Sequence, residues 1–319
     1  MKVELTSFNI KNLIMTLYLT KENKFAYRHC LIKVSFLLLI HLIIVYQGYS
    51  QSINPIIKQD VIFNSDGTKL AGTLYSPKNA YASVVIVHGS GQETRMTTFA
   101  ELLASNGISV LTYDKRGVGN SEGVYAGPEV GTNNVDSFNI HLLAKDTRAA
   151  LNKIKQYNNG TPIGLLGFSQ AGWIIPIAAE NNPLVNFMVL FSCPTITSLE
   201  QLRFQFYTNG NFNFWVNHTE EDVRYHIKND SDRYQFTSTD PKVALSNISV
   251  PSLWLFGEKD IQIPVKLCIE QINTLKSKGK PFEYTLFSNL GHNTAFTDDK
   301  SPLEIAINWI KETTKKLKQ

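Results

Sequence analysis

From about residue 57 the apolar positions of the chain fall into short blocks with two different periods. IIKQDVIF and TKLAGTLYS mix apolar and polar residues and read as two strands joined by Asn64-Ser65-Asp66-Gly67, in which Asp-Gly is a strong two-residue hairpin signal. ASVVIVHG, ISVLTYD, IGLLGF, NFMVLFS and PSLWLFG are instead continuous apolar runs, as strands covered on both faces require, and FEYTLFSN follows as a further strand. Between these runs the period lengthens to that of amphipathic helices. Such helices are expected in TFAELLASNG, in VDSFNIHLLAKDTRAALNKIKQY, after Ser169, around Val265–Lys278 and in SPLEIAINWIKETTKKLK. Two antiparallel strands followed by repeated strand–helix units predict an α/β fold: a mostly parallel eight-stranded sheet flanked by helices.

Two segments depart from this rhythm. More than fifty residues between Pro194 and Pro251 lack a core-strand signature and carry Phe204, Phe206, Tyr207, Phe212, Phe214 and Trp215. A connection of that length in a compact domain has a function or helices of its own, so a helical cap is expected over about 195–250. At the other end, Lys33 is followed by the 13-residue apolar core VSFLLLIHLIIVY and then QGYSQS. Residues 1–50 therefore read as a secretory signal peptide, or as an N-terminal anchor if it is not cleaved, with Met15 as a second possible start. The main domain is expected over 51–319, and the destination is secreted or periplasmic. Membrane contact is expected only if the N-terminal segment is retained.

Charge narrows the function classes. The formal net charge is +4, but removing the six basic and two acidic residues of 1–50 from the totals of 31 and 27 leaves 25 of each. The remaining chain has no basic cluster of the kind that nucleic-acid binding needs. Cys193 and Cys268, the two cysteines after the leader, sit in apolar surroundings and read as buried thiols; no metal-ligand spacing and no cofactor motif appears.

Open α/β sheets place their sites beyond the carboxyl ends of the strands. Those ends read HGSG (His88–Gly91), DKRGVGNS (Asp114–Ser121), GFSQAG, Cys193-Pro194, GEKD (Gly257–Asp260) and LGHN (Leu290–Asn293). A serine, an acid and a histidine thus close three strands in the order Ser169, Asp260, His292. In this the chain resembles the α/β hydrolases, whose nucleophile, acid and histidine follow that order, over about residues 57–319. The resemblance implies the α/β-hydrolase fold with a cap after the sixth strand, and it implies no cofactor.

Chemistry gives each residue a task. Ser169 follows a buried strand and opens a helix, at a sharp turn whose flanks must be small; Gly167 meets that need and Ala171 adds one methyl to it. His292, in the Gly-bearing loop SNLGHNTAF, is placed to take the serine proton, since a free hydroxyl is a weak nucleophile. His88, His141, His218 and His226 lie in less suitable settings. Asp260 is expected to fix the imidazole tautomer, with Glu258 as rival, while Asp114 and Arg116 organise their own loop. The oxyanion hole is expected from the backbone amides of Gln170, next to the nucleophile, and of Ser90, the position that the resemblance implies. The leading expectation is a carboxylic ester hydrolase acting through an acyl-enzyme. A serine aminopeptidase or amidase, with Glu220, Glu221 and Asp222 as acids for a substrate amine, is the alternative, and a non-catalytic binding protein on the same fold is a third reading.

Overall fold

The computed structural model describes residues 55–127, 132–231 and 234–318. The leader expected over 1–50 lies outside the described residues. Among the described residues, no helix is long and apolar enough to cross a membrane.

The described residues open with a hairpin of β1 (Ile56–Ser65) and β2 (Thr68–Pro77), paired from Ile56↔Pro77 to Ser65↔Thr68. Its two-residue turn, Asp66 and Gly67, has φ of 53° and 84°, so the chain reverses through left-handed backbone that Asp tolerates and Gly favours. Then follow β3 (Ala82–Val87), α1 (Thr97–Ser105), β4 (Ile108–Tyr113), the short α2 (Thr132–Val135), α3 (Ser137–Lys155), β5 (Ile163–Phe168), α4 (Ala171–Ala179) and β6 (Phe187–Phe191). Among the described residues, four helices fill the connection to the seventh strand: α5 (Ser198–Thr208), α6 (Phe214–Asn217), α7 (Glu220–Asn229) and α8 (Pro241–Asn247). The chain closes with β7 (Ser252–Gly257), α9 (Val265–Ser277), β8 (Phe282–Phe287) and α10 (Ser301–Lys316).

The eight strands form one sheet in the order β1-β2-β4-β3-β5-β6-β7-β8. Pairing is antiparallel for β1 with β2 and for β2 with β4, and parallel from β4 to β8. Successive residues of a central strand face opposite layers, which is why these strands read as unbroken apolar runs. In β3, Val85 and Val87 join one apolar layer while Val84 and Ile86 join the other. The first layer packs under α3, α4 and α9, through residues such as Leu151, Ile174 and Ile272. The second packs under α1 and α10, through Leu103, Ala306 and Ile310. A third, smaller cluster of Phe204, Phe214, Val223 and Ile227 includes Ile261 of the loop after β7, so the inserted helices pack onto that loop.

The strand order reverses between β3 and β5: the chain leaves β3 for β4 on one side and returns to β5 on the other. Their connections therefore diverge and leave a crevice at the carboxyl edge, the place where such sheets bind ligands. HGSG leaves β3 there and Ser169 leaves β5.

Candidate active site

Ser169 is held in left-handed backbone, with φ 47°, between β5 and α4. A non-glycine residue pays for that conformation in strain, and the surroundings hold it there. Its amide donates to the Phe191 carbonyl at 3.1 Å. The turn leaves no room on either flank: a Cβ on Gly167 would lie 2.5 Å from that of Ala171, and one on Gly172 would lie 2.5 Å from the Pro194 carbonyl oxygen.

The side chains of Ser169, His292 and Asp260 form one hydrogen-bonded row. His292 Nδ1 lies 2.8 Å from Asp260 Oδ2, and its Nε2 lies 2.9 Å from Ser169 Oγ. A carboxylate only accepts, so Nδ1 carries the proton and donates to it; Nε2 then has its lone pair free, and the Ser169 hydroxyl donates to it. The second oxygen of Asp260 accepts from the amides of Gln262 at 2.7 Å and Ile263 at 3.0 Å. Asp260 is wholly buried.

The acid and histidine loops are fastened to each other. The Lys259 amide donates to the Leu290 carbonyl and the Glu258 amide to that of Phe287, both at 2.9 Å. The loops run so close that a Cβ on Gly257 would lie 2.2 Å from the Gly291 carbonyl oxygen, so glycine is required there. The inserted helices hold the acid loop from the other side. Trp215 Nε1 donates to the Asp260 carbonyl at 2.8 Å, Thr208 Oγ1 to that of Ile261 at 2.6 Å, and Gln201 Nε2 to that of Gln262 at 2.8 Å.

HGSG runs beside the serine: a Cβ on Gly89 would lie 3.6 Å from the Ser169 Cβ. Among the described residues, neither the Ser90 nor the Gln170 amide has a protein acceptor. A cavity of about 310 Å³ opens over Ser169 and His292. Its apolar lining includes Met96, Phe168, Trp173, Phe191, Leu202 and Phe296, and Glu93 is the one acidic residue lining it among the described residues.

Other residues singled out in the sequence have structural tasks. Asp114 accepts from the Arg95 amide and the Asn120 amide and pairs with the Arg95 guanidinium at 2.8 Å. Arg116 forms a buried ion pair with Asp146 of α3. Glu258 is exposed. His88 is buried edge-on to Tyr113, and burial, reinforced by the Lys115 charge, pushes its pKa down to about 3, so it is neutral. Cys193 and Cys268 are buried free thiols, and burial holds the pKa of Cys193 well above the usual range and that of Cys268 at about 12.

The acids considered for amine binding lie elsewhere. Glu220 and Glu221 line a separate groove with Trp215, His218 and Lys266. Asp222 closes a capping box with Thr219 at the start of α7.

One buried group escaped sequence reasoning. Lys115, 2% exposed, donates from Nζ to the Gly89 carbonyl at 2.8 Å and to Gln170 Oε1 at 2.9 Å. Gln170 Nε2 in turn donates to Asn134, to its carbonyl at 2.8 Å and its Oδ1 at 2.6 Å. Only the position of the lysine, at a strand end directly after Asp114, hinted at this.

A family model described as serine aminopeptidase, S33, matches residues 78–244, more than half of the chain. No curated protein matches it in sequence. Solved structures similar in fold include an esterase of Pyrococcus furiosus, at 18% identity and TM-score 0.59, covering 81% of this chain and 92% of that one. An acetyl xylan esterase from a Paenibacillus species superposes with TM-score 0.58 at 19% identity, over 82% of this chain and 86% of the other. An acylaminoacyl peptidase of Pyrococcus horikoshii does so with TM-score 0.58 at 15% identity; the match takes in 82% of this chain but 41% of the peptidase. By its sheet order and by the sequence match from residue 78 to 244, this chain belongs to the serine aminopeptidase S33 family of α/β hydrolases and is a hydrolase.

Proposed function

We propose that the protein hydrolyses carboxylic esters of small molecules, with Ser169 as nucleophile. The observation that carries this reading is the row Ser169–His292–Asp260, with contacts of 2.9 and 2.8 Å and a buried carboxylate at its end. As Ser169 Oγ attacks the acyl carbon, His292 Nε2 takes its proton, and Asp260 stabilises the imidazolium in place. The carbonyl oxygen becomes an oxyanion that the Ser90 and Gln170 amides receive. His292 returns the proton to the departing alkoxide, leaving Ser169 acylated. Water then attacks the ester so formed, its proton passing to His292 and on to Ser169. The apolar part of the cavity, formed by residues such as Phe168, Trp173 and Phe296, suits an apolar acyl or aromatic group, while Gln201, Gln205 and Gln262 offer polar contacts beside it.

A second reading keeps the same residues and changes the substrate to an aminoacyl amide. The family description supports it, and Glu93 at the cavity is a carboxylate that a free amine would meet. The acids of α7 do not support it, because Glu220 and Glu221 line another groove and Asp222 closes the capping box of its own helix.

The test is turnover of nitrophenyl esters beside aminoacyl nitroanilides, with the wild type and Ser169→Ala. Faster ester turnover, reduced by at least about 10⁴-fold in the variant, is expected. Undiminished turnover in Ser169→Ala would overturn the assignment of the nucleophile, and faster anilide turnover would favour the second reading.

A further inference from the structure

We propose that Lys115 is a positioning residue that aims and strengthens both oxyanion donors; this rests on the reading of Ser90 and Gln170 given above. A lysine ammonium is seldom buried unless it is paired or hydrogen-bonded. Lys115 is buried and directs its Nζ at the Gly89 carbonyl at 2.8 Å, the Gly91 carbonyl at 3.4 Å and Gln170 Oε1 at 2.9 Å. These acceptors belong to the loop after β3 and the turn after β5, and the lysine stands on the loop after β4. One cation thus ties three strand-end segments together. Through Gln170, the tie continues to Asn134 of α2, which is also fully buried.

Peptide geometry gives the tie its consequence. The Gly89 carbonyl and the Ser90 N–H belong to the same planar unit, and in a trans peptide they point in opposite directions. A cation that holds the carbonyl on one side therefore holds the N–H on the other. Gly89 and Ser90 line the cavity with Ser169, and the Ser90 amide has no protein acceptor among the described residues. A hydrogen bond from an ammonium to the carbonyl also polarises the peptide, which makes its N–H a stronger donor. On the other side, the bond to Gln170 Oε1 fixes the side chain of the residue whose own amide is the second donor. Lys115 never touches the substrate in this scheme. It acts through the two amides, which pre-aligns them where charge develops and needs no rearrangement during reaction.

The side chain alone can be removed, whereas a backbone donor cannot. In Lys115→Met, kcat/KM for a nitrophenyl ester is expected to fall about 10²-fold, mostly in kcat, the scale on which misplaced catalytic geometry acts. Affinity for a trifluoromethyl ketone, whose adduct with the serine carries the tetrahedral oxyanion, should fall by the same factor while KM changes by less than about threefold. A lysine that only stabilised the fold would lower Tm without separating ketone affinity from KM. Lys115→Gln keeps a donor for the Gly89 carbonyl without the charge and should lose about tenfold, an intermediate loss; it replaces the methionine variant if that one does not fold. Ketone affinity within about twofold of wild type in a folded variant would overturn the inference, as would failure of both variants to fold. Activity surviving in Ser169→Ala would instead strike the nucleophile reading, so the two failures are separable.

Discussion

At Ser169 the backbone and the side chain serve one end. The left-handed φ of 47° lifts the hydroxyl out of the strand direction, and the small flanks Gly167, Ala171 and Gly172 make that bend possible. Ala171 is completely buried, and its methyl already fills the space facing Gly167. The two methyls that valine adds to this Cβ would overpack a site that is already fully buried. Ala171→Val is expected to lower stability by about 1–3 kcal/mol, the usual cost of overpacking, and to lower kcat through displacement of Ser169. Urea denaturation and ester turnover would measure both, and full activity at wild-type stability would show that the turn is looser than its contacts imply.

Among the elements, the inserted helices act on the site through the acid loop. Trp215 of α6, with Thr208 and Gln201 of α5, donates to three successive carbonyls from Asp260 to Gln262. The Ile261 and Gln262 carbonyls share their peptide groups with the very amides that hold the Asp260 carboxylate, and the Asp260 carbonyl belongs to the acid itself. Removing one donor leaves a buried carbonyl underpaired and frees the loop to shift. Trp215→Phe keeps most of the ring and deletes the N–H. It should cost about 1–2 kcal/mol of stability and several-fold in kcat with little change in KM. Steady-state kinetics with a thermal melt would check this, and unchanged kcat would mean that α6 only covers the loop. On the opposite side of Ser169, α4 is anchored at its C-terminal end, where Arg148 of α3 donates to the carbonyls of Ile177, Ala178 and Glu180. A guanidinium there satisfies last-turn carbonyls and complements the helix dipole.

For the molecule as a whole, the hairpin joins the parallel sheet by pairing β2 with β4, and Arg116 ties its turn to α3 as well. It stands after β4, pairs with Asp146 on α3 and donates to the carbonyl of Ser65 and the hydroxyl of Thr68 at the hairpin turn. Both members of the pair are buried, and burial raises the Asp146 pKa even with Arg116 beside it. Arg116→Met would leave that carboxyl without its cation, at a cost of about 3–5 kcal/mol. Replacing Asp146 by leucine as well should recover part of the loss. If chemical denaturation shows the double variant no more stable than the single one, the pairing is not what the hairpin depends on.

The sequence carried the elements because burial on two faces leaves unbroken apolar runs, and burial on one face leaves a helical or alternating period. It also carried the identity and chain order of Ser169, Asp260 and His292, since each closes a strand and sheet geometry puts strand ends on one edge. It could not say that Glu220 and Glu221 would line a separate groove, because that depends on how α7 packs, and carboxylates at the start of a helix leave no periodic trace. Nor could it identify Lys115 as buried: a lysine reads as surface in any pattern, and its acceptors are carbonyls and an amide far away in the chain. What the sequence by itself determined was the run of strands and helices and the order of Ser169, Asp260 and His292 at strand ends, all of which depend on local spacing. Only the tertiary structure decided which of those side chains meet, since the hydrogen bonds from His292 to Ser169 and Asp260 and from Lys115 to Gly89 and Gln170 depend on sheet order and loop packing, which no local pattern encodes.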